Sequence, residues 1–210
     1  MISRDDRATA APPRSRGPYA KTRKVRESII EAAVEVFAAT GYHAAAMKEI
    51  AQRAGLSEGG LAHHFTSKTD LLFEILERRE ARAGTQITRL TGIVMLLAMV
   101  DIVAEDNRTP GMVELHTTLA AEATSPGHPS HEHYLKRYAN VRLVVRNAFE
   151  TLAEAGVLDT TLTPAELAAS FVALSDGLQL QWLYHPDEVN PVATLSAFLR
   201  SVAPRVAPSS

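Results

Sequence analysis

The chain has 210 residues, 46% of them hydrophobic and 22% charged, with a net charge of −2 and no cysteine. That is enough material for one large or two modest folded domains, and the lack of cysteine excludes disulfides, thiolate metal sites and cysteine nucleophiles. The N-terminus is polar and arginine-rich, unlike a secretory signal. The longest apolar run, Ile93 to Val100, is too short to span a bilayer, so a cytoplasmic protein with no membrane contact is expected. Charge is unevenly spread. Residues 1–28 hold eight Lys or Arg against three Asp or Glu, while residues 71–210 hold eleven against sixteen. A basic N-terminus on an acidic remainder suits contact with nucleic-acid phosphates.

Residues 1–20 contain Ala-Pro-Pro and Arg-Gly-Pro and read as a disordered basic arm. A first helix is predicted from Lys21 to Thr40, where Ile29, Ile30, Ala33, Val34 and Phe37 recur at helical spacing and Gly41 ends it. Two short helices follow, the first from Met47 to Ala54. Gly55 stands where a helix C-cap favours glycine, and Ser57 is placed to cap the next helix. That second helix turns Leu61 and Phe65 to one side. Glu58, Gly59, Ala62 and His63 lie on the other.

Ser67-Lys-Thr-Asp70 opens a fourth helix through Leu71, Leu72, Ile75 and Leu76. Leu90 to Glu105 reads as a buried helix, and Thr109-Pro110 opens another that runs to about Ala123. Ser130 is the expected cap of a long helix ending at Gly156. Thr163-Pro-Ala-Glu166 is a capping box with proline in the first turn, starting a helix to about Tyr184. Asn190-Pro191 starts the last. No alternating strand pattern occurs, so the expectation is an all-α chain of nine helices. Its parts are a helix-turn-helix unit over 21–68, a helical domain over 69–204 and a disordered tail at 205–210.

Two short helices joined by a tight Gly-containing turn, the second with a small and polar face, form the arrangement that enters the DNA major groove. At this point the chain resembles the TetR family of bacterial transcriptional regulators. The specific part is residues 29 to 76, which open IIEAAVEVFAATGYHAAAMKEIAQRAGLSEGGLAHHFTSKTDLL. SDGLQLQWL at 175 to 183 is similar to a stretch found in many members.

The resemblance implies that Lys48, Glu58, Gly59, Gly60, His63 and His64 reach DNA, with Ser57 at the head of the recognition helix. It also implies that Lys68 holds a backbone phosphate. Two hydroxyls usual in the family are missing, since Ala62 replaces a tyrosine, and Ala45 and Ala46 replace Ser or Thr. Arg14, Arg16, Lys21, Arg23 and Lys24 in and beside the arm are expected to compensate. A ligand-responsive repressor that binds a near-palindromic operator as a homodimer is the implied function. The alternatives are a dimeric interaction module with lost DNA binding, or a metal-responsive regulator.

In the C-terminal half, Met95, Met99, Met112, His116, Tyr138, Phe171 and Trp182 are candidates to line a cavity among helices five to eight for an unidentified small molecule, with an apolar, mainly uncharged one expected. The last two helices carry apolar residues in excess of one core. The resemblance implies a two-fold four-helix bundle there, built on Leu167, Phe171, Leu174, Gly177, Leu178, Gln181, Leu195, Phe198 and Leu199. His128, His131 and His133 are the one cluster with metal-site composition, but positions 131 and 133 point apart on a helix. No cofactor is expected. No phosphate loop, nucleophile elbow or helical His-Glu metalloprotease motif is present, so no enzyme is expected either.

Overall fold

The computed structural model describes residues 18–108 and 110–206. Arg14, Arg16 and the rest of the expected arm up to residue 17, and the tail from residue 207, lie outside the described residues. Among the described residues there are nine helices and no strand. They are α1 (Pro18–Ala44), α2 (Met47–Arg53), α3 (Glu58–Ala62), α4 (Lys68–Ile87), α5 (Gly92–Asp106), α6 (Pro110–Glu122), α7 (His131–Glu154), α8 (Pro164–Tyr184) and α9 (Pro191–Val202). None is long and apolar enough to cross a membrane.

Helix α1 starts at Pro18, not Lys21, so the last three residues of the expected arm are helical. Proline suits that position, because its fixed φ fits the first turn and the amide proton it lacks would have no partner there. The caps explain most other boundaries. Ser57 accepts from the Gly60 amide and Ser67 from the Asp70 amide, both side chain to backbone. Thr163 and Glu166 form the reciprocal capping box of α8, and Asn190 caps α9 through the Ala193 amide. Ser130 is the exception. It sits at the head of α7 without a side-chain cap bond, fully buried, its hydroxyl unpartnered.

Two apolar cores form, and they do not divide where the helix-turn-helix ends. The first joins Ile29, Val36 and Phe37 of α1 with Ile50 of α2, Leu61 of α3 and Leu71, Leu72 and Ile75 of α4. It then continues into Leu115 and Leu119 of α6 and Tyr134 of α7. The second is built from α5, α7, α8 and α9 around Leu96, Phe149, Leu167, Phe171, Leu195 and Leu199. Each such fully buried side chain is worth roughly 1.5–3 kcal/mol against exposure. Helix α6, the main packing partner of α1, therefore belongs to the DNA-side core as much as to the C-terminal half.

The seam between the halves is closed at the end of α1. Gly41 has φ 73° and ψ 168°, breaking the helix and turning Tyr42 back. The Tyr42 amide donates to the Glu122 carboxylate at the end of α6 (3.0 Å), and the Tyr42 hydroxyl bonds Thr69 of α4 (2.8 Å). A Cβ on residue 41 would run into that same carboxylate. Gly41→Ala is thus expected to lose about 1–3 kcal/mol for a backbone conformation open essentially to glycine alone, in addition to displacing Glu122. A urea midpoint equal to that of the unaltered protein would show that the seam does not depend on it.

Candidate nucleic-acid interface and effector cavity

The turn between α2 and α3 is fixed by backbone chemistry. The Leu56 amide donates to Ala51 (2.9 Å) and the Gly55 amide to Gln52 (3.1 Å), the paired bonds of a Schellman motif, with Gly55 at φ 69°. Ile50, Ala51, Leu61 and Phe65 are buried beneath. Above them Lys48, Gln52, Ser57, Glu58, Gly59, Ala62 and His63 are not buried, and Gly60 is partly exposed. Arg23, Lys24 and Lys48 carry no hydrogen bond or ion pair among the described residues. Lys21 lies in the first turns of α1. Gly59 has open space where a Cβ would stand, so nothing in the chain's own packing requires glycine there.

Lys68 is placed otherwise than its phosphate-holding expectation. Its ammonium donates to the carbonyls of Tyr42 (2.7 Å), His43 (3.0 Å) and Ala45 (2.9 Å) and lies over the Tyr42 ring. All three N–H donors are used within the fold, tying the end of α1 to the start of α4. Arg26, which sequence reasoning missed, does the matching work on the recognition side. It donates to the His64 carbonyl (3.2 Å), pairs with Glu74 of α4 (2.8 Å) and covers the Phe65 ring. No local motif signals this, since its partners lie 38 and 48 residues away. His64 is consequently half-buried, its backbone engaged, while His63 points outward. Arg53 is taken by Glu35 and Glu49.

The C-terminal half holds a cavity of about 290 Å³ between α4, α5, α7 and α8. Met99 and Phe171 line it, and Tyr138 lines a small adjoining recess. Three of the expected ligand residues are elsewhere. Met95 is sealed in the second core, Trp182 borders none of the cavities described, and Met112 faces a separate cleft of about 610 Å³ between α1, α4, α5 and α6. The lining of the smaller cavity is also far more polar than expected, with Arg79, Glu80, Asp106, Arg137, Asp176 and Gln179.

His116 belongs to a polar chain beside this cavity. Arg79 of α4 pairs with Asp106 of α5 (2.9 Å) and faces the His116 Nδ1 (3.3 Å), which also meets the Tyr134 hydroxyl (3.1 Å). The His116 Nε2 lies 4.0 Å from Asp176, which accepts from the Tyr138 hydroxyl (2.8 Å). Burial first, then the Arg79 and Arg137 charges, hold the His116 pKa well below its usual value, so the ring is neutral. Burial, with the Asp176 charge, pushes the Tyr138 phenol up to about 12, and burial raises Asp176.

The expected dimer residues divide. Leu167, Phe171, Leu178, Leu195 and Leu199 are buried within the chain's own core and cannot also form an outer face. Helical periodicity marked them as apolar but not which of two partners they meet. Leu174, Gly177 and Phe198 are partly accessible and Gln181 is exposed. The outer face of α8 instead carries Ala165, Ala169, Ala173, Leu180 and Tyr184, the last 73% exposed. The three histidines do not converge. The His128 Nδ1 accepts from the Ser130 amide, His131 meets the Ala123 carbonyl, and His133 lies 3.9 Å from Glu80. No group of three potential ligands that could hold a metal occurs among the described residues.

The comparisons with known proteins agree with this architecture. Residues 29–75 match the model of the tetR family of bacterial regulatory proteins, and residues 95–206 that of the C-terminal part of BetI-type transcriptional repressors. The activator FasR of Mycolicibacterium smegmatis is 51% identical over 53 residues, 25% of this chain and 24% of FasR, so the match spans well under two thirds of that protein. The regulator TtgW of Pseudomonas putida is 33% identical over 94 residues, 42% of this chain and 70% of TtgW. The complex of SmeT with triclosan superposes with a TM-score of 0.71 at 17% identity, covering 89% of this chain and 95% of the other. SmeT is the repressor of a Stenotrophomonas maltophilia multidrug efflux pump. The chain belongs to the TetR family: it is a DNA-binding transcriptional regulator and not an enzyme.

Two outcomes follow from this geometry. Gly59→Ala should raise stability by about 0.5–1 kcal/mol, since alanine favours helix where the site has room, yet weaken DNA binding by placing a methyl on the exposed face. A variant that binds DNA as well as the unaltered protein would remove the reason for glycine. The second concerns acid. Because the folded His116 is held neutral, the unfolded chain takes up its proton first once the pH falls below about 6.5. Stability is therefore complete above that pH and declines below it. Thermal midpoints between pH 7 and 5.5 should fall, and His116→Gln should flatten the slope; an equal slope would place the titration elsewhere.

Proposed function

We propose that the protein is a ligand-responsive repressor that acts in the cytoplasm as a homodimer, each copy placing α3 in one half-site of a near-palindromic operator. The observation that carries this reading is the exposed face of Glu58, Gly59, Ala62 and His63, which stands on a helix capped by Ser57 and includes a glycine that the chain's own packing does not require. Glu58 is suited to accept from a cytosine amino group, and Gly59 and Gly60 let the backbone approach the groove. The outer face of α8 favours a second copy, because Leu180 and Tyr184, with Leu162 just before the helix, leave apolar surface uncovered beside three alanines. The cavity supports response to a small molecule, and α4 runs from its wall at Arg79 to the recognition unit at Glu74 and Lys68. A ligand preferring the non-binding arrangement by a few kcal/mol would release the operator. The similar fold of SmeT, named as a repressor and solved in complex with triclosan, supports this reading.

Purified protein should select a two-fold related DNA sequence from random fragments and sediment as a dimer. A monomer bound to an asymmetric site would overturn the reading. With Lys68 committed to the fold and Ala46 and Ala62 lacking hydroxyls, phosphate contacts fall to Arg23, Lys24, Lys48 and the basic segment before Pro18. Deleting residues 1–17 should weaken operator binding and lower the slope of log K against log salt by about 0.9 for each phosphate the arm neutralises. Unchanged affinity and slope would dismiss the arm.

A further inference from the structure

The cavity of about 290 Å³ has an unbalanced lining of two arginines against three carboxylates. Each arginine already has its own acid. Arg79 pairs with Asp106 at 2.9 Å and Arg137 with Glu80 at 2.7 Å. Asp176 is the remainder. One of its oxygens accepts from the Tyr138 hydroxyl, and the other lies 4.0 Å from the His116 Nε2. That ring supplies no counter-charge, because its Nδ1 faces the Arg79 guanidinium and must act as an acceptor. One turn further along α8, Gln179 lines the same cavity with 3% of its surface exposed and no hydrogen bond among the described residues. Neither of its amide atoms is among the sealed and unpartnered polar atoms, so the carboxamide opens onto the cavity, where water or a ligand can meet it. The free Nε donors of Arg79 and Arg137 do not change the sign, since both are covered by protein atoms.

We infer that the effector is a monocationic amine with a compact apolar body, its ammonium received by the Asp176 carboxylate and the Gln179 side-chain carbonyl. The inference rests on reading this cavity as the effector site. Ile87, Ile102, Val141 and Val144 offer the body an apolar wall. The Phe171 ring and the Met99 sulfur are soft, polarisable surfaces that tolerate a cation. An anion would add a second unmatched negative charge. An uncharged apolar molecule, the expectation from sequence, would bring the Asp176 carboxylate no counter-charge and the Gln179 side chain no hydrogen-bond partner.

The test titrates the full chain by calorimetry with three probes sharing one body: 4-phenylbutylamine, 4-phenylbutan-1-ol and 4-phenylbutanoate. Release of a selected DNA fragment is followed in parallel by fluorescence anisotropy. The amine should bind at least tenfold more tightly than the alcohol, and the carboxylate should not bind. Asp176→Asn should erase the preference for amine over alcohol, and Gln179→Leu should weaken the amine. If Asp176→Asn does not fold, the ranking of the three probes on the unaltered protein decides. No binding by any probe, or the alcohol or carboxylate ahead of the amine, overturns the inference. So does an amine preference that survives Asp176→Asn. Amine bound without DNA release keeps the ligand class and removes the repressor switch; carboxylate bound with release does the reverse.

Discussion

The contact on which the rest of the molecule depends is the one between the end of α1 and the end of α6, where the Glu122 carboxylate takes the Tyr42 amide. A DNA-reading unit of two long helices and two of one or two turns has little core of its own, and small domains are stabilised only marginally by what they bury. Here the shortfall is met by Leu115, Leu119 and Ala123 of α6 and its end and by Tyr134 of α7, which complete the first core. The recognition unit is consequently not a bead on a linker. Tyr42 also bonds Thr69, carries the Lys68 ammonium on its ring and packs edge-on to His128, so one residue touches α4, α6 and the loop before α7. Whatever moves α6 relative to α1 must move the base of α2 and α3 as well.

The second coupling runs through α4. Lys68 and Glu74 hold its first half to the recognition unit, and Arg79 and Glu80 place its second half in the cavity wall. Arg79 then reaches α5 through Asp106 and α6 through His116, and the chain of polar contacts continues to Asp176 on α8. Polar groups buried in this way are costly to leave half-satisfied, so such a network favours discrete arrangements over gradual ones. A charge arriving at Asp176 acts on the far end of the same chain that fixes α4.

The sequence made the fold legible because its punctuation is strong and local. Gly55, the Ser57 and Ser67 caps, the Thr163–Glu166 box and Asn190-Pro191 each act within four residues and end or start a helix as expected, while Gly41 kinks α1, which runs on to Ala44. The site was less legible where a role depends on distant partners. Lys68 looks like a phosphate ligand until the carbonyls of Tyr42, His43 and Ala45 are seen around it. Leu167 and Leu195 look like an interface until the second core closes over them. Periodicity reports that a face is apolar; it does not report which surface that face meets. Arg26 had no signal at all, because a lone arginine in a basic stretch reads as solvated charge.

The same limit applies to the cavity, and it explains why charge is the better guide there. Methionine and aromatic residues at helical spacing are shared by cores and pockets alike, so Met95 and Met99 cannot be told apart by type. One is sealed beneath α5 and the other borders open space. Ionisable groups around a cavity are different, since each is answered by a partner, by solvent or by a ligand, and is expensive otherwise. Arg79, Arg137, Asp106 and Glu80 answer one another, and His116 is neutral. Asp176, its side chain 37% exposed and bonded by the Tyr138 hydroxyl, keeps a charge that no cation of the fold contacts directly, beside a carboxamide that bonds nothing among the described residues. That they stand together on one face of α8 is what gives the cavity a sign.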